Sequence, residues 1–196
     1  MQGDDGLGFT RGYGYQGGAN RIGWHELVGR TPGFGADFKN SLRTPGPWRM
    51  SLGGFGEILP YAHNTMRLHN SKKDRFGNPQ VTFNFEFGDN ERRHREDLVE
   101  QAAAMLEAAG ATDIERYSTP MIGGAAIHEM GTARMGHDPA EAVLNGYNQA
   151  HAAANLFVTD GACMTSSSCV NPSLTYMALT ARAANYAVEQ LQAGAI

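Results

Sequence analysis

The clearest pattern along the chain is the alternation of apolar and polar residues in VTFNFEF, from Val81 to Phe87. Alternation with a period of two predicts a strand over this segment. The preceding residues 70–79, NSKKDRFGNP, carry the turn chemistry expected between two antiparallel strands. Shorter apolar segments predict further strands over residues 51–59, 64–68 and 155–159.

Two other segments follow the helical period instead. The first begins after Asp89 and Asn90, which can cap a helix, and it ends at Gly110. Its apolar positions follow helical spacing: Leu98, Ala102, Met105, Leu106 and Ala109. The second helix opens at Pro172 and continues to about Leu191, because proline suits a first helical position, where its missing N–H would be unpaired anyway.

The beginning of the chain shows neither period. The protein has 25 glycines, concentrated in the first 56 residues, so residues 1–49 are predicted to be mostly loop. Residues 111–127 are predicted to be irregular or briefly extended. Residues 12–17 formally match G-x-G-x-x-G, but no buried strand precedes them and no good helix follows. We therefore interpret them as a structural glycine loop and not as a nucleotide site.

Composition and charge exclude several classes of protein. Hydrophobic residues make up 41% and charged residues 18% of the sequence, which is not the composition of a disordered chain. A net charge of −4 argues against nucleic-acid binding. No apolar run approaches the roughly 20 residues of a membrane span. Cys163 and Cys169 either pair across a short loop or, as we favour, remain two small buried thiols.

The segment HEMGTARMGHDP, residues 128–139, begins like the motif of a zinc protease. Such a site needs a second histidine four residues after the first, where this chain has Thr132. We reject a metal site on that spacing. His128 can instead act as a neutral histidine that accepts a proton. Arg134 and Asp138 are predicted to brace its loop.

Two further features lie in the last third of the chain. A predicted strand ends at Asp160 and Gly161, where the backbone can approach a phosphate or ribityl chain. Asn171 and Pro172 lie at a helix start, whose N–H groups stabilise nearby negative charge. Together with His128, these residues make a candidate site for taking a proton from a hydroxyl while charge accumulates on a cofactor. Taken alone, a histidine is more often an ordinary core or surface residue, an Asn-Pro at a helix start is usually just a cap, and Asp160 is equally typical of a loop turn.

The segments IHEMGTARMGHDP and NLFVTDGACMTSSSCVNPSLTYMALTARAANYAV resemble the C-terminal part of the glucose-methanol-choline (GMC) oxidoreductases, which are flavoproteins. GFGEILPYAHNTMRLH and VTFNFEF resemble the substrate domain of the branch that includes glucoside 3-dehydrogenases and gluconate dehydrogenase large subunits. The resemblance implies an α+β fold. Residues 1–154 would form an antiparallel-sheet substrate domain with packed helices and the His128 loop. Residues 155–196 would return to a flavin-binding α/β domain as its last strand and helix.

The resemblance also implies roles for individual residues. His128 would accept the hydroxyl proton and Asn171 would hold the substrate oxygen, while a hydride passes to FAD. The implied substrate is a sugar, a glycoside or another polyol, oxidised at a CH–OH group. The family's flavin contacts map onto Asp160, Gly161, Asn171, Pro172 and Ser173.

One departure from the family pattern is the N-terminal Rossmann unit, which is missing from this sequence. We therefore expect the C-terminal portion of a longer enzyme, truncated or separately encoded, that alone binds FAD poorly and is inactive. The alternative is a non-catalytic remnant that acts as a binding or assembly module. The related dehydrogenases imply a small subunit and a cytochrome as partners, in either a periplasmic or a cytoplasmic location.

Overall fold

The computed structural model describes residues 6–118 and 122–196. Within these ranges the strands pair as three two-stranded sheets, β1–β2, β3–β4 and β5–β6, and the last two sheets are antiparallel. The architecture is therefore α+β, as expected. The elements in chain order are β1 (Tyr13–Arg21), α1 (Trp24–Leu27), α2 (Gly35–Ser41), β2 (Trp48–Gly56), β3 (Thr65–Lys73), β4 (Pro79–Asn84), α3 (Asp89–Ala108), β5 (Gln149–Ala150), β6 (Ala153–Phe157) and α4 (Ser173–Gln192).

The chain divides into two compact units. The first unit holds the described residues of the ranges 1–13, 56–94 and 119–196, and the second holds residues 14–55 and 95–118. A hydrophobic cluster forms the core of the first unit around Leu144, Ala150 and Cys163. The predicted division into residues 1–154 and 155–196 stays a prediction about the domains of a complete enzyme.

The β3–β4 hairpin confirms that a strand lies on each side of the predicted turn, but β3 continues to Lys73, five residues beyond its predicted end, and β4 begins at Pro79, two residues before its predicted start. The turn between the strands is closed by Asp74, whose Oδ1 accepts hydrogen bonds from the backbone N–H groups of Phe76 and Asn78 at 2.8 and 2.9 Å. β4 ends at Asn84, three residues before the predicted end. The reason is that the N–H of Glu86 donates to the Asn64 side chain at 2.8 Å instead of to a strand partner.

The prediction of loop over residues 1–49 is wrong for β1, α1 and α2. The supposed glycine loop at residues 12–17 lies almost entirely on β1. A Cβ at Gly17 would come within 2.2 Å of the backbone oxygen of Ser51 on β2. Glycine here allows two strands to approach closely, and the same small residues erase the alternation that marks a strand. Residues 1–5 of this segment, like residues 119–121 of the predicted irregular segment, lie outside the described residues.

α3 begins and ends close to the predicted residues, although its cap differs. The helix starts at Asp89, and the N–H of Arg92 donates to the Gly88 carbonyl, which makes Gly88 the capping residue. Three positions later, the Glu91 carboxylate accepts the Gly88 N–H at 2.8 Å. This is the backward arm of a capping box, which satisfies a backbone donor at the helix start. Asp89 and Asn90 are therefore the first two helical residues and not the cap.

α4 also matches its prediction within one residue. Ser173 is the first helical residue and Pro172 is the N-cap. Of the two cysteines, Cys163 is fully buried and Cys169 is exposed, and both are free thiols. The expectation of two buried thiols is thus wrong for Cys169.

No helix formed by the described residues is both long and apolar enough to cross a bilayer.

Candidate functional site

His128 stands in a tightly turned loop of the first unit. Its φ is +66°, in the left-handed region that few residues other than glycine adopt. Such a conformation costs on the order of 1–3 kcal/mol and persists only where the surrounding structure imposes it. The side chain is half-buried and has no hydrogen-bond partner among residues 6–118 and 122–196.

The loop that follows His128 is fastened to the turn that carries Asp160 and Gly161. The N–H of Ala133 donates to the Ala162 carbonyl at 3.0 Å, and the N–H of Met135 donates to the Cys163 carbonyl at 2.9 Å. These two bonds join residues 133–135 to the 3-10 turn Gly161–Cys163. Because Cys163 lies in the hydrophobic core, the loop is anchored on the most deeply buried part of the unit.

Gly161 is the point at which three segments meet. A Cβ at this buried position would lie 2.6 Å from the Glu129 carbonyl oxygen, 2.9 Å from the Tyr176 Oη and 3.2 Å from the Met130 Sδ. Glu129 and Met130 directly follow His128, and Tyr176 lies on the first turn of α4. Only glycine leaves room for this approach. The predicted site segments are therefore in contact through the backbone at Gly161.

Asp160 shapes the turn that precedes Gly161. It is the N-cap of the 3-10 turn, and its Oδ1 accepts the Ala162 N–H at 2.9 Å. The residue is exposed. It holds the turn in place and leaves its carboxylate at the surface.

The start of α4 lacks a side-chain cap. Pro172 is buried and has no donor or acceptor side chain, and the N–H of Tyr176 is the first to reach back, donating to the Pro172 carbonyl at 3.0 Å. The N–H groups of Ser173 and its next two neighbours are thus the unpaired donors of a helix N-terminus. An uncapped N-terminus of a 20-residue helix favours negative charge beside it.

Tyr176 is a site residue that the sequence analysis missed. Its Oη donates to the Met130 Sδ at 3.6 Å, and so it connects α4 to the residue two places after His128. Burial raises the pKa of Tyr176, and the negative charge of Asp160 raises it further. The phenol therefore stays protonated and remains a donor. No local pattern could have found it, because its partner Met130 lies 46 residues away in the sequence.

Arg134 and Asp138 form their side-chain hydrogen bonds within residues 134–141, after the His128 loop, so the predicted bracing of that loop stays a prediction. The Arg134 Nη2 donates to the Glu141 carbonyl, and the Asp138 Oδ1 accepts the Ala140 N–H at 2.8 Å. Among the described residues, no group of three or more His, Cys, Asp or Glu side chains is placed to hold a metal ion.

The structure does not bring every predicted residue together. Asn171 is exposed and immediately precedes the α4 cap, and Ser173 is exposed at the first helical position. Within the described residues, the side chains of His128 and Asn171 share no recorded contact. Their joint action on a substrate therefore stays a prediction.

Comparisons with known proteins relate the chain to one family and assign no role to any individual residue. The family model described as GMC oxidoreductase matches residues 60–180, which include His128, Asp160 and Asn171. The 2-methyl-1,2-propanediol dehydrogenase of Mycolicibacterium austroafricanum is 36% identical over 135 residues, which are 67% of this chain and 24% of that protein.

Two further relatives are described as subunits or flavoproteins. The fructose dehydrogenase large subunit of Gluconobacter japonicus is 33% identical over 140 residues, covering 70% of this chain and 25% of that one. The gluconate 2-dehydrogenase flavoprotein of Pantoea cypripedii is 26% identical over 190 residues, covering 86% of this chain and 30% of that protein. The chain thus spans about a quarter of the length of the first two relatives.

Proposed function

Because this chain belongs to the GMC oxidoreductase family, whose members are FAD-dependent, we propose that it is the C-terminal catalytic portion of an enzyme that oxidises a CH–OH group of a sugar or related polyol. The observation that carries the proposal is the meeting of three segments at Gly161, where a Cβ would lie 2.6 Å from the Glu129 carbonyl oxygen. This contact holds the His128 loop beside the open N-terminus of α4. This contact supports the proposal that a proton acceptor and a site for negative charge belong to the same site.

His128 is the residue that accepts the hydroxyl proton. Its half-buried imidazole has no partner among the described residues, and its backbone is held at a φ of +66°. Backbone strain of this kind is concentrated at functional sites, because there the surrounding structure holds a residue in a conformation of higher energy. A neutral imidazole is a suitable base near pH 7.

Asn171 is proposed to hold the substrate oxygen while the proton leaves. Its side-chain amide can donate to that oxygen, and its exposed position before α4 leaves the donor free. Tyr176 takes no proton in this scheme. Its protonated phenol positions Met130, and through it the backbone next to His128.

The residues around the α4 N-terminus fit a flavin. Ser173 and the next two residues have uncapped N–H groups within the described residues, and these would stabilise negative charge on a group bound beside them. The exposed Asp160 would contact the flavin, whereas the buried Gly161 and Pro172 would support the turn and the helix start from within. FAD, when bound, supplies the acceptor that takes the hydride from the substrate carbon.

Apolar side chains at the edge of this region are exposed, with Leu174 at 79% and Met177 at 67%, which supports a further protein or cofactor surface lying against α4.

The substrate class is inferred from the relatives. Their names specify a diol, fructose and gluconate, all of which are small polyhydroxylated molecules. The words "large subunit" in one of these names support a partner subunit for the complete enzyme, and a cytochrome acceptor is part of the same proposal.

The experiment isolates the native protein from its source with an antibody against α4 and records its size and visible spectrum. A chain much longer than 196 residues, or a complex, with a flavin spectrum and dye-coupled oxidation of sugars is the expected result. A colourless complex without sugar oxidation would contradict the proposal and favour the binding or assembly module.

His128→Ala and Asn171→Ala, introduced at the native locus, then test the two roles. Each substitution is expected to lower kcat by about 10²-fold or more, the scale for a general base or a key polar donor. His137→Ala is the matched control, because His137 is an exposed histidine on the same loop with no assigned role. Equal activity of the His128→Ala and His137→Ala enzymes would refute the assignment of the base.

A further inference from the structure

The β3–β4 hairpin has two unlike faces. Residues directly opposite each other share a face, and successive residues alternate between faces. Polar pairs occupy one face and apolar pairs occupy the other. The polar pairs are Thr65–Asn84 and Arg67–Thr82, and the apolar pairs are Met66–Phe83 and Leu68–Val81.

A cavity of about 460 Å³ lies on the polar face. A volume of this size suits a small ligand, for which sites of roughly 300–1,000 Å³ are usual. Among the described residues, those that line the cavity belong to the hairpin or come just before it: Ala62, His63, Thr65, Arg67, Thr82 and Asn84.

Arg67 gives the cavity its charge. Among the described residues, no aspartate or glutamate lines the cavity, and the Arg67 side chain has neither an ion pair nor a hydrogen bond. A guanidinium is always charged, and its planar donors match the two oxygens of a carboxylate or phosphoryl group. The cavity is therefore built for an oxyanion.

The other polar groups suit hydroxyls. Thr65 and Thr82 each offer a hydroxyl that can donate and accept. The Asn84 Nδ2 already donates to the His63 carbonyl at 2.8 Å, which fixes the amide and leaves its Oδ1 as an acceptor. A ligand with hydroxyl groups beside its charge would satisfy these positions.

One wall of the cavity is held rigidly. The His63 ring stacks on Tyr61, with 5.3 Å between centroids and 18° between planes. Tyr61 in turn hydrogen-bonds Glu91, whose carboxylate also accepts the N–H groups of Leu59 and Gly88 at 3.1 and 2.8 Å. A wall fixed before binding lowers the entropy cost of binding.

We propose that the polar face of the β3–β4 hairpin binds a small polyhydroxylated ligand through a carboxylate or phosphoryl group, as in a sugar acid or a sugar phosphate. Arg67 binds the oxyanion, and Thr65, Thr82 and Asn84 bind hydroxyls. The site requires neither FAD nor turnover, so its binding is measured separately from the oxidation proposed above. Failure of one proposal is therefore distinguishable from failure of the other.

The test is calorimetric titration of the full 196-residue chain with gluconate, glucose 6-phosphate and glucose. At least one of the two anions should bind about tenfold or more tightly than glucose, the scale for a hydrogen bond to a charged group. Tighter binding of gluconate would assign a carboxylate ligand, and tighter binding of glucose 6-phosphate a phosphoryl ligand. Binding of neither anion more tightly than glucose would overturn the proposal.

Arg67→Met should abolish the preference for the anion over glucose. Arg75→Met is the matched control, because this substitution removes the same charge from the same hairpin. Arg75 stacks on Phe76 and does not line the cavity. Equal losses in the two variants would overturn the proposal, since only bulk charge would then matter. Thr82→Val, which keeps the shape of the side chain, gives a second readout and should also weaken binding of the anion. Circular dichroism of each variant verifies that the fold is kept.

Discussion

Gly161→Ala is the substitution that most directly tests how the site is held together. The added methyl would lie 2.6 Å from the Glu129 carbonyl oxygen and 2.9 Å from the Tyr176 Oη, where ordinary contacts begin near 3.4 Å. Both neighbours must therefore move by several tenths of an ångström. The Glu129 oxygen belongs to backbone and cannot rotate away. Overpacking of a buried position typically costs about 1–3 kcal/mol.

The two cysteines provide the assay. Cys169 is exposed and should react with a thiol reagent at once, whereas Cys163 is fully buried beside Gly161 and reacts only when this region opens. When the region opens and closes faster than the reagent reacts, the rate of the slow phase is proportional to the equilibrium population of the open form. A destabilisation of about 1–3 kcal/mol then accelerates the slow phase roughly 5- to 150-fold. The fast phase should not change.

Gly146→Ala is the matched control for this measurement. Gly146 belongs to the same unit, has no heavy atom within 4 Å of an added Cβ, and does not have a left-handed φ. Its slow phase should stay near that of the unaltered chain. The double substitution Gly161→Ala with Tyr176→Phe removes the Oη contact but not the carbonyl contact, so it should recover only part of the loss. A slow phase equally fast in Gly161→Ala and Gly146→Ala would refute the reasoning.

Two further predictions concern the helix start and the cofactor. Burial alone would raise the pKa of Glu91, but the N–H of Leu59 and other donors outweigh it and lower the pKa. The stabilisation from Glu91 is therefore present above its unfolded pKa and lost as pH falls through the lowered folded value. Glu91→Gln should lower the urea midpoint of unfolding at pH 7 far more than at pH 3. Glu96→Gln, on the exposed side of α3, is the control. Equal effects of Glu91→Gln at both pH values would contradict this prediction. The 196-residue chain alone should emerge colourless from gel filtration with added FAD, and stoichiometric flavin in the protein peak would contradict the proposal that it is one portion of the enzyme.

Helices and strands whose own residues show a clear periodic pattern could be predicted from the sequence. The alternation in VTFNFEF locates β4, and helical spacing with its terminal signals locates α3 and α4 to within about one residue. In each case the deciding pattern lies within the element itself. β1 was missed because Gly17 and Gly18 carry no side chain to alternate, and only pairing with β2 shows that the segment is extended.

The residues of the candidate site likewise divide into those that the sequence indicated and those that it did not. Motif and resemblance indicated His128, Asp160, Gly161 and Asn171, and the match of the family to residues 60–180 agrees with that resemblance. Their specific roles stay predictions. Tyr176 was missed because its partner, Met130, is 46 residues away, and no local pattern reports such a contact.

The sequence by itself determined the family, the α+β class and the positions of the longer elements, because periodicity, caps and motifs are written in neighbouring residues. Only the tertiary structure decided which side chains are buried, as the exposure of Cys169 and the burial of Cys163 illustrate. It also decided why Gly161 must be glycine. The physical reason is that burial and close approach depend on atoms distant in sequence, in this case the Glu129 carbonyl and the Tyr176 phenol, which only folding brings to the same point.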